Sequence, residues 1–131
     1  MNASFFVLLW GCASSEERKT YENPRELQTV QGVYWLEVTH APDPPVTGEH
    51  QLEVLLMNVD QTAAVLDATI SVEPYMPSMS HGIGEQPSVV NIGEGFYTTD
   101  FSYSMPGEWE LRLVIASILG TDSVSPVYEV Q

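Results

Sequence analysis

From Val33 onward the chain alternates apolar and polar residues with a period of two. In "VYWLEVTH" Tyr34, Leu36 and Val38 share one side, and Trp35, Glu37 and Thr39 share the other. "HQLEVLLMNV" places Leu52, Val54 and Leu56 together, and "DATISVE" does the same for Ala68, Ile70 and Val72. "SVVNI" is a shorter run of the same kind. "GFYTTDFSYS" sets Tyr97, Thr99, Phe101 and Tyr103 against Thr98, Asp100 and Ser102. "GEWELRLVIAS" sets Trp109, Leu111, Leu113 and Ile115 against Glu108, Glu110 and Arg112, and "SPVYEV" closes the chain. Side chains of a strand point alternately to its two faces, so each run predicts a strand with one face in a core. Gly, Pro, Asn or Asp separates the runs, as turns require. No stretch carries a helical period. Seven short strands in this length predict an all-β, immunoglobulin-like antiparallel sandwich over residues 31–131. The Cys…Trp…Cys spacing of antibody domains is absent.

The 131 residues suffice for one such domain with a core. The first 30 residues read differently. Phe5 to Trp10 is an apolar run, Gly11 and Cys12 follow, and residues 13–30 are polar and charged with Pro24 among them. Residues 1–12 resemble a bacterial lipoprotein signal, in which a cysteine after a small residue carries the lipid, and 13–30 read as a flexible tether. Cys12 is the single cysteine, so it has no partner for an intramolecular disulfide and is the candidate lipidation site. No window of 18 apolar residues exists, so a helical membrane span is not expected. The expected location is the bacterial cell envelope, on its periplasmic or extracellular face, held by a lipid anchor alone.

Charge narrows the partners. The formal net charge is -14, and 14 of the 18 acids lie beyond Val30 against Arg112 alone. Such a surface repels phosphate backbones, which argues against nucleic acid, and favours cations or basic partners.

Candidate chemistry concentrates in "EPYMPSMSHGIGEQP", which brings Met76, Met79 and His81 within six residues in a proline-stiffened segment. If successive strands reverse, the loops fall alternately at two ends of a sandwich. This segment, the loop between His40 and His50, and the "SMPG" turn with Met105 then share one end, the top, and Met57 falls at the other. Thioethers favour Cu(I), and imidazole binds copper in either oxidation state. Met76, Met79, His81 and Met105 are therefore candidate copper ligands, with His40 and His50 as additional candidates for Cu(II). No Asp-x-Asp-x-Asp ladder points to calcium, and the Cys and His supply is poor for zinc. The competing reading is packing, since methionine readily fills irregular gaps. Catalysis is not expected: there is no GxSxG and no HExxH, and Cys12 lies in the leader.

The ordered set Met76-Pro77-x-Met79-x-His81, Gly93-x-Gly95-x-Tyr97 and Met105-Pro106-Gly107-x-Trp109 resembles the YtkA-like domain, a relative of the FixH-like proteins. The resemblance runs from about Val33 to Val130. It implies an exported, Ig-like, often membrane-tethered domain that handles copper or supports oxidase assembly, with a copper chaperone or oxidase subunit as partner. The metal role carries over only to Met76, Met79, His81 and Met105. We expect a monomeric, non-enzymatic domain. A metal-free interaction or structural module of the envelope, or a sensor of small molecules or cations, are the alternatives.

Overall fold

The computed structural model of the protein describes residues 22–131 apart from Glu85. The described chain is all-β, its strands joined by turns and loops. In order these are β1 (Arg25–Gln28), β2 (Tyr34–Ala41), β3 (Gly48–Asn58), β4 (Thr69–Met76), β5 (His81–Gly82), β6 (Val89–Gly93), β7 (Phe96–Tyr103), β8 (Gly107–Ser117), β9 (Gly120–Val124) and β10 (Val127–Val130). A single 3₁₀ turn, Pro77–Met79, joins β4 to β5 among the described residues. One sheet runs β1-β2-β3-β7-β6, and the other runs β10-β8-β4-β5 with β9 also paired to β8. Every pairing is antiparallel. Two such sheets facing each other make the expected sandwich.

The alternation in the sequence becomes the core. Tyr34, Leu36 and Val38 of β2, Leu52, Val54 and Leu56 of β3, and Tyr97, Phe101 and Tyr103 of β7 are buried from one sheet. Ile70, Val72 and Met76 of β4 and Trp109, Leu111, Leu113 and Ile115 of β8 are buried from the other. Each large apolar side chain buried this way contributes about 1.5–3 kcal/mol relative to exposure. Tyr97 is buried yet satisfied: its hydroxyl donates to the Val65 carbonyl at 2.8 Å and accepts the Ala68 N–H at 3.0 Å, which holds the β3–β4 connection onto β7.

Two features differ from the sequence reading. The first strand, β1, lies inside the stretch read as a tether, so the sheet begins at Arg25. Among the described residues the number of strands is ten, not seven, through β1, the two-residue β5 and β9. The expected Cys12 anchor and the apolar run before it lie outside the described residues. Among the described residues no helix is long and apolar enough to cross a membrane.

Asp122 ties the two sheets at the bottom end. Its carboxylate accepts the backbone N–H of Gln31, at 3.0 and 3.1 Å to its two oxygens, and that of Val33 at 3.2 Å, both from the β1–β2 turn. It also accepts the N–H of Ser123 at 2.8 Å. Burial alone would raise its pKa, but these donors and the Thr29 hydroxyl outweigh it and hold the pKa below the usual value.

Candidate functional site

The register of the strands fixes where the candidates lie. Ala41 pairs with Gln51, Gly48 with Tyr103, and Met76 with His81, so the ends of β2, β4 and β7 and the starts of β3, β5 and β8 meet at one end of the sandwich. The loop parity read from the sequence holds. His40, His50, His81, Met76, Met79 and Met105 are all at this top end. Met57 bridges Ala64 at the other. The described chain begins at the top end: the Asn23 side chain brackets His40, donating to its carbonyl at 2.9 Å and accepting its N–H at 3.0 Å.

The four residues of the Met–His segment and the SMPG turn do not share one environment. The alternation of β4 runs on through Pro74 to Met76, so Met76 points inward and is 2% exposed. Its methyl lies only 2.9 Å from where a Cβ on Gly107 would stand, so the absence of a side chain at Gly107 makes room for it. Paired residues of an antiparallel ladder project to the same face, so His81 lies on the same side of β5 as Met76 does on β4. Its ring sits edge-on to Trp109 with centroids 6.3 Å apart. Its Nδ1 is 2.9 Å from the Gly82 carbonyl, which can only accept, so the neutral ring carries its proton there and leaves the lone pair on Nε2. Met105 is partly buried against the core, and its carbonyl accepts the Trp109 indole N–H at 3.0 Å. Met79, on the 3₁₀ turn, is 54% exposed. Ser80 follows it in the left-handed conformation that reverses the chain into β5. Trp109 thus stands between His81 and the Met105 turn, Met76 is packed below, and Met79 faces solvent.

His40 and His50 make a separate cluster on the opposing sheet. Both project inward and both are 3% exposed. Their ring centroids are 5.6 Å apart. Tyr128 is edge-on to His40 at 4.9 Å, Tyr103 edge-on to His50 at 5.0 Å, and Phe101 stacks on His50 at 6.1 Å. Burial lowers the pKa of both imidazoles, and that of His50 to about 4, with the neighbouring His40 charge as the second cause. For His40 the Pro42 carbonyl and Asp43 oppose the shift, and Arg25 adds to it. Burial also raises the pKa of the Tyr103 hydroxyl, with Tyr128 adding to the shift. Among the described residues no three His, Cys, Asp or Glu side chains converge as a metal group. The depth of the histidine pair was not legible in the sequence as core, because His at an inward position breaks the apolar pattern.

The YtkA-like family model matches residues 31–114, well over half of the chain. The chain belongs to the YtkA-like family. The match begins just before β2 and ends within β8, so it takes in every Met and His candidate of the top end. A search of curated proteins finds no match.

The buried histidines set an acid sensitivity for this YtkA-like domain. Their folded pKa values lie below the unfolded value of 6.5, so the unfolded chain binds more protons between the two. Their contribution to stability is constant above about pH 6.5 and falls as pH drops from there toward about 4, where His50 titrates in the fold. Thermal melts of the wild type across this range are expected to show a falling Tm. The fall is expected to be smaller in His50→Leu, and equal slopes in the two proteins would refute the assignment to His50.

Proposed function

We propose that this YtkA-like domain is a non-enzymatic, lipid-anchored envelope protein that binds Cu(I) at the top end of its sandwich and passes it to, or receives it from, a copper chaperone or oxidase subunit. The observation that carries this reading is the cross-strand pairing of Met76 with His81, which sets a thioether and an imidazole on one face of the β4–β5 hairpin. The imidazole has its Nδ1 proton committed to a carbonyl, the usual second contact of a ligating histidine. Met105 is the second thioether at hand, on a turn whose carbonyl is held by Trp109. Met79 is the ligand on the solvent side, brought in by rotation of its long side chain. Two or three thioethers with one imidazole favour Cu(I) over zinc or calcium. The strongly acidic chain attracts the cation without contributing the ligands.

A metal-free interaction module is the second reading, and one observation favours it. At the bottom end Ala63, Leu66, Ile118 and Leu119 line an apolar groove, with Ile118 99% exposed and Leu66 60%. Apolar surface of this kind often marks a contact with another protein.

A Cu(I) competition titration separates the two. One copper per chain is expected, with at least tenfold weaker binding, about 1.4 kcal/mol, in His81→Ala and Met105→Leu. Met79→Leu keeps the apolar volume and is expected to weaken copper binding without lowering the Tm. Wild type that binds no Cu(I), or variants that all bind as wild type does, would remove the metal reading and leave the interaction module. For the anchor, Cys12→Ala is expected to move the protein from the membrane fraction to the soluble one, and wild type already soluble in the cytoplasm would refute it.

A further inference from the structure

The alternation of β2 and β3 assigns apolar residues to every other inward position, yet at the top it delivers His40 and His50. Neither is held by a full set of hydrogen bonds. The His40 Nδ1 lies 3.3 Å from the Pro42 carbonyl, so the ring proton resides there and Nε2 keeps its lone pair. Among the described residues that Nε2 is buried without a hydrogen-bond partner, and so are both ring nitrogens of His50. Burying a polar atom unpaired costs about 1–3 kcal/mol, so a valine or leucine at either place would serve the core better. Two adjacent buried imidazoles with unspent lone pairs need a function outside packing.

We propose that His40 and His50 form a second, all-imidazole site for a borderline divalent cation, Cu(II) or Zn(II), distinct from the Met–His cluster. With a metal–nitrogen distance of about 2.0–2.1 Å, two imidazoles on one ion place their ring centroids roughly 4.5–6.5 Å apart. The observed 5.6 Å lies within that range. The His40 Nδ1–H to Pro42 carbonyl contact is the outer hydrogen bond that sets the tautomer and aim of a ligating ring. Imidazole is a borderline ligand suited to Cu(II) and Zn(II), whereas the thioethers across the sandwich suit Cu(I). The low pKa of each ring keeps it neutral and ligand-ready at neutral pH, with no proton to displace. The walls are aromatic: Tyr128 and Tyr103 stand edge-on to the two rings and Phe101 stacks on one. Two protein ligands are fewer than the three or four that hold catalytic or structural zinc, so the expected affinity is lower than at those sites. Neither ligand belongs to the Cu(I) proposal, so the two sites stand or fall separately.

The test is a Zn(II) titration of the full chain followed by long-range ¹H–¹⁵N NMR of the imidazoles. The expected result is a saturable change at one zinc per chain on Nε2 of His40 and on one ring nitrogen of His50, with the His81 nitrogens unmoved. His40→Gln is expected to weaken Zn(II) binding at least tenfold, while His81→Ala and Met105→Leu leave it unchanged. A change confined to His81, or no saturable change on His40 and His50, overturns the proposal. Because the wild-type spectrum decides by itself, the outcome does not depend on whether His40→Gln folds.

Discussion

The top end of this domain is organised around Trp109. Its indole is fully buried, and three elements converge on it. Its ring N–H is tied to the Met105 carbonyl, its ring lies 5.3 Å from Tyr103, and the His81 ring meets it edge-on. An indole inside a core must find an acceptor for its one donor, and here that acceptor is the carbonyl of the turn four residues back. That single requirement folds the Met105 turn over the sandwich mouth. β8 begins at Gly107, whose missing side chain admits the Met76 methyl. Packing that the core needs anyway thus holds Met76, His81 and the Met105 turn at this end, while Met79 stays in solvent.

The two sheets divide the chemistry of the mouth. The β4–β5–β8 side carries sulfur and one half-buried imidazole. The β2–β3–β7 side carries two deeply buried imidazoles, walled by Phe101 and Tyr103 of β7 and by Tyr128 of β10 from the other sheet. Arg25 contributes to the same wall from the entering strand, lying over the Tyr128 ring at 5.0 Å and donating to the Val127 carbonyl at 2.9 Å. With Asn23 bracketing His40, the start of the described chain is stitched to the top end of the sandwich. The apolar bottom groove is at the far end from that entry.

Period-two alternation carried the sandwich, the inward faces and the meeting of all three histidines at one end. These were legible because antiparallel pairing forces both the facing and the reversal of strands. Three strands were not. In β1 only Leu27 of "RELQ" is apolar, so its four residues look like linker, and the pairing with β2 is what makes them a strand. β9 offers Val124 alone as an apolar residue, and β5 is too short to have a period. Pro74 looked like the end of a strand, although it occupies an inward position of β4 with Leu111 opposite. Reading past it would have carried the alternation two residues further, to Met76. That explains why Met76 and Met79, so close in sequence, lie one in the core and one in solvent. The same alternation places His40 and His50 inward, but a polar side chain there breaks the apolar pattern that marks a core, so their depth was not legible.

The central claim is that sulfur and imidazole at this mouth share one copper ion. X-ray absorption at the copper edge of the Cu(I)-loaded full chain tests it directly. Sulfur scatterers at about 2.3 Å, by analogy with metal–sulfur distances at zinc, together with one imidazole, are the predicted shell. A shell of nitrogen and oxygen alone would contradict it.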